Sequence, residues 1–229
     1  KRLHVRSVAK ILGRGGTILK SARCQDFFET EGRKRAHVHL VEAGIDGLVV
    51  IGGNGTFTGA LKFGQETGFP VVGLPGTIDN DLSGSDCTIG FDTAINTVVD
   101  AVDKIRDTAD SHNRLFFVEV MGRDSGFIAL KSGIATGAVA VMTPEMNMSI
   151  EDLVTVLQTG EQRNKTSRRV LVAEGESNGG GFENAKKEQA LTTRNEKRMP
   201  GKGHMKRGRR PSGVDRGMGE RTGGGGVEG

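Results

Sequence analysis

The segment 45–60, IDGLVVIGGNGTFTGA, decides the fold class of this chain of 229 residues. Its first part, 45–51, is a short apolar run rich in Val and Ile, which is typical of a strand buried in a parallel sheet. The run stops at Gly52 and Gly53, and a helical pattern follows from about residue 58. We therefore predict a strand, a glycine loop and a helix in succession.

The same order recurs along the chain. Further strands are predicted where apolar runs end at a loop, at 71–74 (VVGL), 115–122 (LFFVEVMG) and 169–175 (RVLVAEG). Apolar residues at spacings of three and four predict a helix over 92–111, and other helices are predicted at 32–43, 58–68 and 150–160. Ser149 and Asp152 form a capping pair for the last of these. This alternation predicts an α/β fold with mostly parallel sheets, and ligands at the carboxyl ends of the strands.

Composition and charge exclude several classes of protein. With 36 Gly, 10 Phe, neither Trp nor Tyr and 26% charged residues, the chain is globular and not collagen-like or wholly disordered. Residues 186–229 carry 12 basic against 5 acidic side chains, so the positive charge lies in the tail. Nucleic-acid binding by this tail is disfavoured because no aromatic residue that stacks on bases follows Phe182.

The two cysteines point to a reducing compartment. Cys24 and Cys87 are far apart and form no CxxC pair, which favours free thiols over a disulfide or a zinc site. No apolar run has the roughly 18 residues of a membrane span, and residues 1–10 do not resemble a signal peptide. We predict a cytoplasmic protein that does not bind membranes. Since the first residue is not Met, we also expect the natural N-terminus to be missing.

Two loops carry candidate chemistry. In GGNGTFTGA (52–60), glycines between a strand and a helix allow backbone amides to approach a phosphate, although an ordinary glycine turn would look the same. PGTIDND (75–81) places Thr77, Asp79 and Asp81 on alternate residues after a strand. One carboxylate can accept a proton from a hydroxyl while the other holds Mg²⁺, as phosphoryl transfer requires. The alternative is a turn capped by its own Asp and Asn side chains.

A longer stretch resembles a known family. Residues 73–130, from GLPGTIDND to MGRDSGFIAL, are similar to the phosphofructokinase family without interruption. RGGTILKSAR, GGNGT, VAEG and a weakened GHxxRG occur in the family's order, so the resemblance covers about residues 4–185. It implies two Rossmann-like domains with mostly parallel sheets flanked by helices and an active site in the cleft between them.

The resemblance implies an ATP-dependent kinase that phosphorylates the 1-hydroxyl of fructose 6-phosphate. Asp79 is then the base, Asp81 supports it, and Thr77 contacts the transferred phosphoryl group. Arg123 would face the charge that develops on that group.

Other positions correspond to the family's sugar site. Met121 and Gly122 would shape it, and Glu174 would accept hydrogen bonds from sugar hydroxyls. Four further residues match contacts to the 6-phosphate: Arg114 and Arg198 from a neighbouring subunit, His204 and Arg207 from the same subunit. The resemblance therefore implies a homo-oligomer, with a tetramer as its expected form.

On the nucleotide side, the implied contacts to ATP are Arg23, Gly53, Asn54, Gly55 and Thr56, with Asn54 and Asp81 nearest to Mg²⁺. Family members that use pyrophosphate tend to have Asp at the position of Gly55 and Lys at that of Gly76. Two small residues favour ATP, and a pyrophosphate-dependent enzyme is the alternative.

The chain also departs from the family. Asn54 replaces an acidic residue, and a neutral amide is a weaker magnesium ligand. The opening strand and its glycine loop are not in the sequence, and the usual LGHIQRGGSP reads KGHMKRGRRP at 202–211. A non-catalytic sugar-phosphate-binding fragment is therefore a further alternative. We expect residues 1–90 to belong to the ATP-binding domain, 91–206 to the fructose 6-phosphate domain, and 207–229 to a poorly ordered tail.

Overall fold

The structure is a computed structural model that describes residues 3–112, 115–162, 169–177, 179–191, 197–198 and 209–228. It contains two parallel sheets flanked by helices. Within these ranges, no helix combines the length and the apolar character needed to cross a membrane.

The first sheet has two strands. The elements before and around it are helix α1 (Val5–Val8), a 3₁₀ helix (Gln25–Phe28), α2 (Thr30–Glu42), β1 (Leu48–Gly52), α3 (Asn54–Thr67) and β2 (Val71–Pro75). Strands β1 and β2 pair in parallel, from Leu48 opposite Val71 to Gly52 opposite Pro75. Because both strands run in the same direction, the loops that follow Gly52 and Pro75 leave the sheet side by side.

The second sheet follows helix α4 (Phe91–His112). Its elements are β3 (Leu115–Val120), α5 (Phe127–Thr136), β4 (Ala140–Met142), α6 (Ile150–Gln162), β5 (Arg169–Ala173), α7 (Gly180–Leu191), β6 (Lys197–Arg198) and α8 (Gly213–Glu228). The strand order is β4-β5-β3-β6, and every pair is parallel. The predicted α/β class with parallel sheets is confirmed.

Helices cover both faces of the second sheet. Successive residues of β3 alternate between two apolar clusters: Val118 and Val120 pack toward α4 and α5, whereas Leu115 and Phe117 pack toward α6 and α7. All five residues of β5 are buried, as expected for a central parallel strand. This double packing holds the carboxyl ends of β3 and β5 in a rigid position.

An aromatic cluster and a partly buried ion pair hold the helices beside the first sheet. Phe63 contacts the rings of Phe27 and Phe69 at centroid distances of 5.9 and 5.8 Å. Arg33 donates to both carboxylate oxygens of Glu66, at 2.7 and 2.6 Å. Arg33 also donates to the carbonyl oxygens of Phe27 and of the next residue. These contacts fix the 3₁₀ helix against α2 and α3.

The structure differs from the sequence prediction in the tail. We expected 207–229 to be poorly ordered, but 213–228 form helix α8, although glycines occupy positions 213, 217, 219 and 223–226. The helix is anchored at its start: Ser212 Oγ accepts a hydrogen bond from the Asp215 amide, and the Asp215 carboxylate is buried against α4. Tertiary contacts therefore outweigh the low helix propensity of glycine.

Helix α6 confirms the predicted capping pair. Ser149 Oγ accepts a hydrogen bond from the Asp152 amide at 3.0 Å, and the Asp152 carboxylate accepts one from the Ser149 amide at 3.4 Å. Two backbone N–H groups that have no partner inside the helix are thereby satisfied.

We predict that Ser149→Ala lowers the free energy of unfolding by about 1 kcal/mol, because an N-cap hydroxyl is lost. Urea denaturation followed by circular dichroism measures this change. Ser83→Ala, which removes the hydroxyl of an exposed loop residue, is the control. Equal losses in the two variants would contradict the capping role.

Candidate active site

The loop between β2 and α4, residues 76–90, is closed by hydrogen bonds at both of its ends. We call it the Asp79 loop. The Ile89 amide donates to the Pro75 carbonyl at 2.7 Å, and Asn80 Oδ1 accepts from the Thr88 amide at 2.8 Å. Asn80 adopts a left-handed backbone conformation with φ +54°, which Asn tolerates better than most residues. The loop therefore has a defined shape at the carboxyl end of β2.

The predicted catalytic residues lie together on this loop. Thr77, Asp79 and Asp81 are all partly exposed, although Oδ1 of Asp79 is buried. Thr77 Oγ1 accepts a hydrogen bond from the Asp79 amide at 3.2 Å, which ties the hydroxyl to the backbone of the proposed base. A Cβ added at Gly53 would lie only 3.3 Å from Thr77 Cβ. The glycine loop and the Asp79 loop are thus in contact, as their parallel strands require.

Asn54 and Asp81 form the candidate metal site. Asn54 is the first residue of α3, and its Nδ2 donates to Asp81 Oδ2 at 2.9 Å. The pair offers one carboxylate and one amide oxygen to a cation, a small but suitable oxygen set for Mg²⁺, which usually takes one or two protein carboxylates together with substrate phosphates. Among the described residues there is no cluster of three or more His, Cys, Asp or Glu side chains that could hold a metal by itself.

A second loop, residues 121–126, follows β3; we call it the Arg123 loop. Glu174, which follows β5, accepts hydrogen bonds on Oε1 from the amides of Gly122 at 3.2 Å and Arg123 at 2.7 Å. A Cβ at Gly175 would lie 2.1 Å from the Arg123 carbonyl oxygen, so only glycine fits there. Arg123 itself has φ +54°, and its side chain is exposed. The loops after β3 and β5 therefore hold each other in place.

One hydrogen bond joins the two loops. Ser125 Oγ, on a side chain that is only 6% exposed, donates to the Asp79 carbonyl oxygen at 3.2 Å. It brings the residue predicted as the base to the loop that is predicted to shape the sugar site. Sequence reasoning missed Ser125, because a single serine in a loop has no distinguishing pattern.

The other residues predicted to contact ATP or the sugar 6-phosphate are exposed, are described only in their backbone, or lie outside the described ranges. Arg23 is exposed just before the 3₁₀ helix, while Gly55 and Thr56 are exposed in the first turn of α3. Three of the predicted phosphate contacts, Arg114, His204 and Arg207, lie outside the described residues. For Arg198 only the backbone is described, where it pairs with Phe116 of β3. The roles of these residues stay predictions.

Glu145 is a further residue that the sequence did not indicate. Its Oε1 accepts a hydrogen bond at 2.8 Å from the Gly126 amide at the start of α5. Partial burial by itself would raise the pKa of Glu145, but hydrogen bonds from the amides of Gly126 and Glu145 and from the Thr143 hydroxyl hold that pKa below its ordinary value. Its position just after a strand end, at the edge where ligands bind, was the signal available in the sequence.

Comparisons with known proteins agree with this geometry. A sequence model of the family described as phosphofructokinase matches residues 1–228. The chain therefore belongs to the phosphofructokinase family. It is 51% identical over 228 residues to ATP-dependent 6-phosphofructokinase 1 of Thermus thermophilus, covering 99% of this chain and 70% of that protein. It is 49% identical over 223 residues to ATP-dependent 6-phosphofructokinase 2 of Bacteroides thetaiotaomicron, covering 97% of this chain and 68% of that one.

A solved structure shows the same fold. The T-state phosphofructokinase of Pichia pastoris superimposes with a TM-score of 0.91 at 36% identity. The match covers 99% of this chain and 26% of that chain, so the described fold is a part of the longer yeast protein. Within the family, the sequence groups with the ATP-dependent 6-phosphofructokinases.

We predict that Glu145→Gln destabilises the protein at pH 7 and that this difference shrinks under acid conditions. The pKa of Glu145 is lowered in the folded chain, so its contribution is full above the unfolded value of about 4.3 and is lost as the pH falls through the folded pKa. Urea denaturation of both proteins at several pH values between about 7 and 3 measures the difference. A difference that does not change with pH would contradict the prediction.

Proposed function

We propose that this chain carries the site for transfer of the γ-phosphoryl group of ATP to the 1-hydroxyl of fructose 6-phosphate. The observation that supports it most is the contact between the two loops, in which Ser125 Oγ donates to the Asp79 carbonyl oxygen. Phosphoryl transfer needs a base and a charge-stabilising arginine on either side of one reacting centre. Asp79 and Arg123 lie on the two loops that this bond joins.

In the proposed reaction, the Asp79 carboxylate accepts the proton of the 1-hydroxyl. The sugar oxygen then forms a bond to the γ-phosphorus while the bond to the β-phosphate oxygen of ADP breaks. The transition state is loose and carries little covalent character from the enzyme, so a weakly basic carboxylate is sufficient if it is correctly placed. Asp81 supports the base by its charge from the same loop.

An arginine and several hydrogen-bonding groups complete the proposed site. Arg123 is exposed at the tip of its loop, where its guanidinium can approach the equatorial oxygens of the transferred group. Thr77 supplies a hydroxyl to the same group. Met121 and Gly122 shape the sugar pocket. Because Oε1 of Glu174 already holds two backbone amides, we assign its Oε2 to the sugar hydroxyls.

The phosphates of ATP would bind at the start of α3. Gly53 precedes the helix, Gly55 and Thr56 lie in its first turn, and a helix N-terminus favours negative charge. Mg²⁺ held by Asp81 and Asn54 would supply charge neutralisation between the phosphates. Arg23 is assigned a contact to the same phosphates.

The proposal also covers the oligomeric state and the cellular compartment: a homo-oligomer in the cytoplasm. In the family's pattern Arg114 and Arg198 reach the sugar 6-phosphate of a neighbouring subunit, while His204 and Arg207 contact it within the subunit, which requires at least a dimer and fits a tetramer. Both cysteines are free thiols, which suits a reducing compartment.

One observation favours a second candidate. The Asn54 amide donates to Asp81, so this pair carries one negative charge where two carboxylates would carry two. A weaker magnesium site is the expected consequence, and a chain that binds fructose 6-phosphate without turnover is therefore the alternative function.

We predict that Asp79→Asn lowers kcat by about 10²- to 10⁴-fold, because an amide cannot accept the hydroxyl proton. The KM for fructose 6-phosphate should change little, since the substitution keeps the shape of the side chain. A coupled assay for ATP- and Mg²⁺-dependent formation of fructose 1,6-bisphosphate measures both constants.

The control for this prediction is Asp86→Asn, which removes an exposed carboxylate of the same loop. Similar losses in the two variants would refute the assignment of the base. If the unsubstituted chain is folded and binds fructose 6-phosphate in a calorimeter but shows no turnover, the non-catalytic alternative is correct.

The phosphoryl donor can be tested at Gly55. Within the described part of the chain, a Cβ at this position would meet no atom within 4 Å, so Gly55→Ala and Gly55→Asp both fit. We predict that Asp, but not Ala, lowers kcat/KM for ATP by about 10- to 100-fold, because its charge repels the nucleotide phosphates.

Assays with ATP and with pyrophosphate separate the two donors. Unchanged use of ATP by Gly55→Asp would contradict the assignment. The pyrophosphate-dependent pattern also has Lys at the position of Gly76. The variant Gly76→Lys is a poorer test of the donor, because its Cβ would lie 2.7 Å from Ile51 Cγ2 and would disturb the packing.

A further inference from the structure

The carboxylate of Asp215 is buried beneath the first turn of helix α4. Asp215 belongs to α8, yet only 2% of it is exposed. Oδ1 accepts a hydrogen bond from the Gly90 amide at 2.9 Å, and Oδ2 accepts one from the Thr93 amide at 2.8 Å. Oδ2 also accepts a hydrogen bond from the Thr93 hydroxyl. A residue 122 positions away in the sequence therefore caps α4.

Of the two capped residues, Thr93 lies in the first turn of α4, whereas Gly90 belongs to the Asp79 loop. Gly90 is its last residue and has φ +105°, a conformation that residues other than glycine rarely adopt. Its neighbour Ile89 donates to the Pro75 carbonyl, and Thr88 donates to the Asn80 side chain beside Asp79. The three consecutive residues 88–90 therefore link the Asp215 carboxylate to Pro75 and to Asn80, which is next to the proposed base.

A buried carboxylate is costly unless it is fully hydrogen-bonded, because it loses its hydration. Asp215 meets this requirement with four hydrogen bonds, from the Gly90 and Thr93 amides and from the Thr93 and Ser212 hydroxyls, and with the positive end of the α4 dipole. The same contacts make the arrangement specific: a carboxylate accepts at both oxygens, whereas an asparagine would direct N–H donors toward another donor at one of them.

We propose that Asp215 is a positioning residue, which fixes the Asp79 loop through Gly90 and Thr93 and so determines where the Asp79 carboxylate lies. This inference rests on the proposed function for its effect on turnover. The Arg123 loop is held separately by Glu174, so loss of the Asp215 contacts should displace the base and leave the sugar site in place.

Asp215 also couples α8 to the site. The Asp215 amide donates to Ser212 Oγ, and the Ser212 amide donates to Thr93 Oγ1 at 3.0 Å. The start of α8 and the start of α4 therefore share one network, in which each helix caps the other. A shift of α8 would be transmitted to the Asp79 loop through this network.

The test uses the full chain with Asp215→Asn, and Glu220→Gln as the control. Glu220 is exposed on the same helix, so its substitution removes one charge from α8 without touching α4. Hydrogen exchange of the amides of 77–93 is measured beside that of β3 and β5. Steady-state assays give kcat and the KM for fructose 6-phosphate.

We expect Asp215→Asn to speed exchange in 77–93 by about tenfold or more while β3 and β5 stay within about twofold, because only the local network opens. We expect kcat to fall by about 10- to 100-fold, since a displacement of the base by about 1 Å has effects of this size. The KM for fructose 6-phosphate should stay within about threefold, and Glu220→Gln should match the unsubstituted chain.

Unchanged hydrogen exchange of residues 77–93 in Asp215→Asn would overturn the inference. An equal increase of exchange in β3 and β5 would also overturn it, because it would indicate a general loss of stability. An unchanged kcat in an active chain would also overturn it. If the unsubstituted chain has no turnover, the proposed function fails by itself, and the exchange pattern still decides whether Asp215 positions the loop.

Discussion

Parallel strand pairing is the constraint on which the candidate site depends. Gly52 of β1 is opposite Pro75 of β2, so the glycine loop and the Asp79 loop begin at the same edge of the first sheet. Val120 of β3 is opposite Ala173 of β5, so the Arg123 loop and Glu174 begin together at the edge of the second sheet. Groups such as Gly122 and Glu174, which are 52 residues apart in the sequence, are therefore neighbours before any side chain adds its own contacts.

Carboxylates then fix the loops that the strands bring together. Glu174 accepts the amides of the Arg123 loop, Glu145 accepts the Gly126 amide at the start of α5, and Asp215 accepts two amides at the start of α4. In each case a charged acceptor satisfies backbone N–H groups that have no partner within a helix or strand, and such charge-assisted bonds are stronger than neutral ones. The acidic residues around the site thus have two kinds of task. Some hold the backbone, whereas Asp79 and Asp81 are the two to which the proposed function assigns chemistry.

The sequence predicted the parts of the fold that have a simple period. The four strands at 48–52, 71–75, 115–120 and 169–173, and the long amphipathic helix α4, were all predicted close to their observed bounds. Strand β4 has only three residues, and α5 is apolar on several sides, so neither shows a clear period. Helix α8 was missed because its glycines argue against a helix, while the contact that stabilises it joins Asp215 to Thr93 across 122 residues. Local patterns do not contain such distant pairs.

The candidate metal site, Asn54 and Asp81, differs from these loop contacts because it pairs a carboxylate with a side-chain amide. Asn54 lies where an acidic residue was expected, and its amide donates to Asp81 at 2.9 Å. In the absence of a cation, two carboxylates at this distance would repel each other, whereas the amide and the carboxylate attract. The substitution therefore makes the site stable without a metal and lowers its attraction for one. In the proposed function, neutralisation of the phosphates would then depend more on the N-terminus of α3 and on Arg123, which carry positive charge whether or not magnesium is bound.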